Sequence, residues 1–225
     1  MKYKILVDEY IEVYGEKLYR IEALIDIPAI GVKAGDKGGF IQTESCLSQV
    51  FGNAWVSGNA RVFGDARVFG DAQVYGDAQV YGDAQVYGDA WVSGNAWVSG
   101  NAWVSGNARV FGDARVYGDA WVSGNARVFG DAQVYGNAQV YGNAQVYGNA
   151  WKLSPLQIQG TRYFFNIAST TEIQIGCMKM PLSEWKEKGK QIGKDQDFSD
   201  MQIDEYFMYL ELAEKWLSMF CKEQK

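Results

Sequence analysis

The sequence predicts a mainly β protein, in which a coil of short parallel strands stands between an N-terminal β cap and a small C-terminal α+β domain. Three observations predict it. Valine recurs every six residues from Val50 to Val146, 17 times without a break, with alanine and glycine in step. The segment before this repeat is patterned like a β-hairpin, and the segment after it changes from strand to helical patterning. We therefore divide the chain into residues 1–49, 50–151 and 152–225.

Each repeating hexad consists of Ala-x-Val-x followed by Gly-Asp or Gly-Asn. Alternate side chains of an extended strand point to opposite faces, so Ala and Val share the inward face and the two variable residues point outward. Gly adopts positive φ freely, and Asp and Asn tolerate it better than most residues, so the last two positions form a corner. Repetition of strand and corner winds a coil in which each strand pairs with the strand one turn away.

The hexads resemble the hexapeptide-repeat, left-handed parallel β-helix family, whose motif is an aliphatic residue at i and a small residue at i+4, here Val98 and Ala102. The resemblance covers residues 50–151. It implies a left-handed column in which three hexads form one triangular coil, so residues 18 apart lie above one another and the repeat makes about six coils. Residues 33–41 and the C-terminal tail are similar to segments of phage-associated, non-enzymatic hexapeptide-repeat proteins of the polymer-forming kind.

The N-terminal segment is expected to cap the first coil, because a solenoid otherwise exposes its core and its strand edges. Residues 11–21 predict a hairpin around Gly15, residues 24–28 extend its second strand, and residues 33–41 lead into the first coil.

The C-terminal segment predicts a hairpin over residues 156–165, a third strand over 172–177 and a short helix containing Trp185. A second helix is expected to begin near Ser199 with a capping box between Ser199 and Gln202. Its apolar stripe is expected either to pack on the small sheet or to form a seam between subunits. The stripe consists of Ile203, Tyr206, Phe207, Leu210, Ala213, Leu217 and Phe220.

The outward positions carry one aromatic ring in every hexad. Where Trp precedes the valine, Ser follows it; where Arg or Gln precedes it, Phe or Tyr follows. Trp91, Trp97 and Trp103 occupy successive hexads and are therefore expected on three different faces, with Trp121 stacked over Trp103. The rings either form ladders that shield the backbone hydrogen bonds or provide a contact surface. The candidate interaction surface comprises Trp91, Trp97, Trp103, Trp121, Tyr81, Tyr87 and Phe111.

The composition limits the function. The net charge of −6 argues against a nucleic-acid binder, and the Asp residues at the corners are too diluted by Asn and Arg to mimic a phosphate backbone. No long apolar stretch indicates a signal peptide or a membrane span. Cys46, Cys177 and Cys221 are odd in number and widely spaced, which fits a reducing, cytoplasmic compartment. We expect no cofactor and no bound metal.

The absence of histidine decides between enzyme and binding protein. Acyltransferases of the hexapeptide-repeat family use a histidine as general base and carry a loop that interrupts the coil, whereas this chain has no histidine and an unbroken repeat. Related carbonic anhydrases bind zinc through three histidines and are disfavoured for the same reason. We therefore predict a non-catalytic interaction protein of phage or prophage origin, with inhibition of a host defence system as one expected role.

Its expected partners are, in order, further copies of itself, a host protein, and a flat ligand such as a sugar or a base. The alternative is a structural protein that polymerises end to end, which the C-terminal domain argues against.

Overall fold

A computed structural model describes residues 1–148, 150–151 and 153–223, with the backbone alone at Ala150 and from Phe220 to Glu223. The N-terminal strands are β1 (Tyr3–Val13), β2 (Glu16–Ala23) and β3 (Lys37–Ile41). β1 and β2 form an antiparallel hairpin whose turn places Tyr14 and Gly15 at positive φ, as predicted. β3 pairs antiparallel with β2.

Residues 24–28 do not extend the second strand, contrary to the prediction. β2 ends at Ala23, and a single turn of 3-10 helix follows at Pro28–Ile30, ending at Gly31 with a φ of 70°. Proline has a fixed φ and no backbone N–H to donate, so Pro28 favours a helical first turn over a paired strand.

The column consists of 17 short strands, and a second 3-10 turn, Glu44–Cys46, precedes them. They are β4 (Trp55–Val56), β5 (Arg61–Val62), β6 (Arg67–Val68), β7 (Gln73–Val74), β8 (Gln79–Val80), β9 (Gln85–Val86), β10 (Trp91–Val92), β11 (Trp97–Val98), β12 (Trp103–Val104), β13 (Arg109–Val110), β14 (Arg115–Val116), β15 (Trp121–Val122), β16 (Arg127–Phe129), β17 (Gln133–Val134), β18 (Gln139–Val140), β19 (Gln145–Tyr147) and β20 (Ala150–Trp151).

These strands form three parallel sheets, each built from every third hexad. The first face contains β4, β7, β10, β13, β16 and β19; the second contains β3, β5, β8, β11, β14, β17 and β20; the third contains β6, β9, β12, β15 and β18. Partners in neighbouring coils are 18 residues apart, as for Trp103 and Trp121. The predicted solenoid of about six turns is confirmed, and the cap continues directly into it because β3 also pairs parallel with β5.

The inward assignment of Val and Ala is confirmed from Ala54 to Val146, where these side chains are at most 1% exposed. Val50 is the exception, since its side chain is 78% exposed. Ile41 lies opposite Val62 and Leu47 opposite Val68, 21 residues on instead of 18. The three additional residues form a bend that lies outside the coil and includes Val50. Leu47 therefore occupies the core position that the repeat pattern assigned to Val50.

Trp151 closes the other end of the column. It lies opposite Val134, only 17 residues away, and this shift turns its ring inward, where it is fully buried. Its ring packs against Trp216 at 6.2 Å between centroids. A ring of this size fills the cross-section that Ala and Val occupy elsewhere and ends the regular coil.

The C-terminal unit packs on that end. Its antiparallel sheet consists of β21 (Gln157–Gln159), β22 (Phe164–Ile167), β23 (Glu172–Ile175) and β24 (Met178–Pro181), followed by α1 (Leu182–Asp195) and α2 (Asp200–Glu223). The hairpin, the third strand and both helices are confirmed, whereas β24 was not predicted. One hydrophobic core joins this sheet and α2 to the column, so the proposed division into three units stays a prediction.

The predicted capping box of α2 is present. The Ser199 N–H donates to the Gln202 side chain, and the Gln202 N–H donates to the Ser199 hydroxyl. The apolar stripe faces the small sheet and α1: Ile203, Tyr206, Leu210, Ala213 and Leu217 are buried, Phe207 is partly buried, and Phe220 lies outside the described side chains. No helix among the described residues is long and apolar enough to span a membrane.

Candidate interaction surface

The three tryptophans at a spacing of six occupy three faces of the column, as predicted. Trp91 belongs to the first face, Trp97 to the second and Trp103 to the third, in β10, β11 and β12. We call these three residues the Trp belt. β10, β11 and β12 lie near the middle of the strand order of their faces, so the rings lie at mid-height of the column.

Ladders of rings run along each face below and above the belt. Below it, Phe63 stacks on Tyr81 and Phe69 on Tyr87, at 5.1 and 5.0 Å between centroids. Each belt tryptophan then meets a tyrosine of the preceding coil edge to face, at 6.0 to 6.4 Å. The exchange of Trp-Val-Ser for Gln-Val-Tyr thus moves the ring sideways on the strand without interrupting the ladder. Above the belt, Phe111 stacks on Phe129.

Arginines cover the belt on two of the three faces. The Arg109 guanidinium lies 4.8 Å from the Trp91 ring, and that of Arg115 lies 4.9 Å from the Trp97 ring. Both tryptophans are only partly exposed. Cation–π contacts above and edge-to-face contacts below engage these rings within the chain. The ladder interpretation therefore accounts for the first and second faces.

The third face differs, because a second tryptophan takes the position of the arginine. Trp121 stacks on Trp103 with 4.9 Å between centroids and 5° between planes, as predicted from the spacing of 18. The next coil places Gln139 opposite Trp121, and the Trp121 side chain is 46% exposed. It is the most exposed of the candidate residues, since the other six are partly buried.

Two further exposed apolar side chains accompany Trp121. Tyr141 follows Val140 of β18 and is 44% exposed, and Leu153 is 45% exposed. The neighbouring Ser154 accepts a hydrogen bond from the Gln139 N–H at 2.9 Å, which brings this segment to the end of the third face. We call Trp121, Tyr141 and Leu153 the third-face patch. The repeat period predicts the place of Tyr141, but Leu153 lies beyond the repeat and no sequence signal indicated it.

The N-terminal hairpin covers part of the ring ladder on the second face, and the C-terminal unit covers part of the ladder on the first face. Tyr14, in the turn of the N-terminal hairpin, packs against Phe63 on the second face. Lys179 of β24 lies 4.0 Å from the ring of Tyr147 and 5.6 Å from that of Phe129, on the first face. Phe111, a predicted surface residue, therefore belongs to a ladder that ends beneath the C-terminal unit.

The C-terminal unit contains an apolar cavity, partly open to solvent, that the sequence did not predict. Its volume is about 210 Å³, and it lies between α1, α2 and the end of β23. Cys177 is a free and exposed thiol beside it. The lining residues are Tyr163, Ile175, Cys177, Met178, Trp185, Gly189, Ile192, Gly193, Gln196, Phe198, Ile203, Tyr206, Phe207 and Leu210.

A polar cluster fixes α2 against the loop before β22. Glu205 accepts hydrogen bonds from the Thr161 N–H and hydroxyl and from the Tyr209 hydroxyl. Partial burial raises the pKa of Glu205, but these hydrogen bonds outweigh it, and the net pKa is lowered. The hydrogen bond to this carboxylate, together with burial, raises the pKa of Tyr209 to about 12. This cluster therefore holds α2 against the loop that precedes β22.

No three His, Cys, Asp or Glu side chains of the described residues are grouped so as to hold a metal ion. At the corners, stacked side chains pair instead as amide and carboxylate, as in Asn95 to Asp113 and Asn101 to Asp119, both at 2.9 Å. These hydrogen bonds make Asp113 and Asp119 part of the scaffold of the column.

Comparison with known families identifies the repeat. Residues 60–76, 72–88, 78–94, 84–100, 90–106, 102–118, 108–124, 120–136, 132–148 and 138–151 match the sequence model of the YdcK beta solenoid repeat. The similarity covers the column from its second strand to Trp151 and leaves out the N-terminal cap and the C-terminal unit. It supports a repeat-based β-helix. No curated protein matches the chain.

Proposed function

We propose that this protein is a non-catalytic interaction protein of the β-solenoid type that associates through the third face, first with further copies of itself. The observation that carries the proposal is the exposed Trp121, which stacks on Trp103 but has no arginine above it, unlike Trp91 and Trp97. Trp and Tyr are the side chains most enriched among residues that dominate binding energy. The column is a rigid support for such a surface, since each strand is fixed by its neighbours.

The absence of histidine supports a non-catalytic role. Acyl transfer on this kind of scaffold requires a general base with a pKa near neutrality, for which histidine is the usual side chain. In an acyl-CoA assay that follows free CoA, we expect no turnover above background with hydroxyl or amine acceptors. Steady turnover would show that a different base operates here.

The proposed test compares two tryptophans, one with an exposed ring and one whose ring is covered by an arginine. Trp121→Gln removes the exposed ring, whereas Trp97→Gln removes a ring that lies beneath Arg115 and against Tyr81. Loss of a dominant interface tryptophan costs about 2 kcal/mol or more, which corresponds to roughly 30-fold weaker association. We expect Trp121→Gln to shift the mass measured by light scattering toward the 25.1 kDa monomer, and Trp97→Gln to leave the mass unchanged.

A monomeric wild-type protein would overturn self-association and leave a heterologous partner as the occupant of the third face. Pull-down from a host lysate with wild type, Trp121→Gln and Trp97→Gln tests that case. If all three variants retain the same proteins, the third face is not the contact surface. Equal mass and equal retention for all three would mean that the ladder serves the stability of the column alone.

We further propose a phage or prophage origin, a cytoplasmic location and a host defence protein as the heterologous target. The support is the resemblance of residues 33–41 and of the C-terminal tail to segments of phage-associated repeat proteins, together with the odd number and wide spacing of the cysteines in the sequence. Expression of the wild type in a host with an active defence system should restore phage growth, and Trp121→Gln should not. Failure of the wild type to do so contradicts this target.

End-to-end polymerisation is the alternative function, and the two caps argue against it. The β1–β2 hairpin extends the second-face sheet at one end, and Trp151 with the C-terminal unit covers the other. Covered ends offer no free coil for stacking. Electron microscopy of the purified protein should therefore show discrete particles, and filaments would favour the alternative.

A further inference from the structure

We propose that the cavity in the C-terminal unit is a binding site for a small, uncharged, apolar ligand containing one aromatic ring or a fused pair of rings. The inference goes beyond the association of the third face and uses none of its residues. An apolar cavity of about 150 Å³ in another protein takes up benzene. The cavity here, at about 210 Å³, has room for a benzene ring with a short substituent or for an indole. It lies below the range of about 300–1,000 Å³ that drug-sized ligands occupy.

The polar groups of two aromatic cavity walls, Trp185 and Tyr206, are hydrogen-bonded within the chain. The Trp185 indole N–H donates to the Ile173 carbonyl at 2.9 Å. The Tyr206 hydroxyl donates to the Tyr163 carbonyl and accepts from the N–H groups of Arg162 and Tyr163. Burial raises the pKa of this phenol, which stays neutral. At these two walls a ligand therefore meets ring faces rather than free donors, and these hydrogen bonds hold both rings in place.

Two glycines of α1 form part of the cavity wall. Gly189 and Gly193 lie one turn apart on the cavity side of α1, although glycine is among the least favourable residues in a helix interior. Gly193 has a packing reason, because a Cβ there would come within 2.8 Å of Ile203. A Cβ at Gly189 would instead lie 3.3 Å from the Phe207 ring and 3.6 Å from the Trp185 ring, between two walls of the cavity. Alanine at this position would therefore crowd the Phe207 ring, which forms a wall of the cavity.

Indole is the probe for the test, followed by two-dimensional amide NMR of the full-length protein. We expect saturable shifts at one site per chain, centred on Gly189, Gly193 and the Trp185 side-chain N–H. Gly189→Ala adds a methyl group between the rings and should weaken indole binding at least tenfold, while the better helix propensity of alanine keeps the fold stable. Glu187→Ala, on the exposed side of the same helix, should bind indole like the wild type.

Cys177 gives an independent readout in the wild-type protein. Its exposed thiol borders the cavity, so saturating indole should slow its alkylation, measured by mass spectrometry of the Cys177 peptide. The proposal is overturned by shifts that do not saturate, by unchanged binding in Gly189→Ala, or by shifts that map to Trp103 and Trp121. If Gly189→Ala unfolds, unslowed alkylation of wild-type Cys177 overturns it alone. Trp121→Gln should bind indole normally, which separates this site from the third face.

Discussion

Substitution of a corner glycine tests how closely the coils approach each other. Gly100 has a φ of 65°, and a Cβ built there would lie 3.0 Å from the Gly118 nitrogen and 3.2 Å from its carbonyl oxygen in the next coil. Gly148 has nearly the same φ, 66°, and a Cβ there would meet nothing within 4 Å. Gly100→Ala and Gly148→Ala therefore share the backbone strain and differ in the contact with the neighbouring coil.

The magnitudes follow from these two terms. The left-handed conformation costs alanine about 1–2 kcal/mol, and the reduced freedom of the unfolded chain returns about 0.4–1 kcal/mol. Gly148→Ala should thus lower the free energy of unfolding by about 1 kcal/mol. Gly100→Ala adds overpacking against fixed backbone, about 1–3 kcal/mol, because the next coil cannot move away without lengthening its own hydrogen bonds.

Thermal unfolding followed by circular dichroism measures the difference. About 2 kcal/mol between the variants corresponds to roughly 4–8 °C in Tm for a chain of this size. Equal Tm values for Gly100→Ala and Gly148→Ala would refute the reasoning, because backbone conformation alone would then explain the glycines. A lower Tm for Gly148→Ala would refute it more strongly.

Three further predictions concern the core, a helix cap and the pH dependence of stability. Val98→Asp places a charge at a position with no solvent exposure and should lower the free energy of unfolding by several kcal/mol in urea titration. Ser199→Ala removes one half of the capping box and should cost about 1 kcal/mol, whereas Ser218→Ala on the exposed helix surface should cost less. Tyr209 has a raised pKa in the folded state, so its contribution is complete below pH 10 and is lost as the pH rises toward about 12. Tyr209→Phe should therefore be less stable at pH 8 and show a shallower loss of stability between pH 10 and 12.

For each of these three predictions, one result would contradict the reasoning. A Val98→Asp variant that unfolds like the wild type would mean that valine does not point inward. Equal losses for Ser199→Ala and Ser218→Ala would remove the capping box as a source of stability. Parallel alkaline curves for Tyr209→Phe and wild type would show that Tyr209 and Glu205 do not couple to folding.

The period of the sequence, together with the coil length of the repeat family that it resembles, determines most of the column. Alternation fixes which side chains point inward, Gly with Asp or Asn fixes the corners, and a coil of three hexads places Trp121 on Trp103. These features are either local or follow from the period and the coil length of the repeat family. Because Ala and Val keep the same register in every coil, the same features recur along the column. The capping box at Ser199 was predictable for the same reason, because it depends on residues three positions apart.

Only the tertiary structure decided where the column begins and ends and which of its rings are exposed. Leu47 displaces Val50 from the core because the chain bends between Leu47 and Val56, and Trp151 turns inward because one coil is a residue short. The arginines over Trp91 and Trp97, the exposed Trp121 and the cavity of the C-terminal unit all depend on side chains that meet across coils or between helices. Such contacts arise from three-dimensional packing, which a six-residue pattern does not encode.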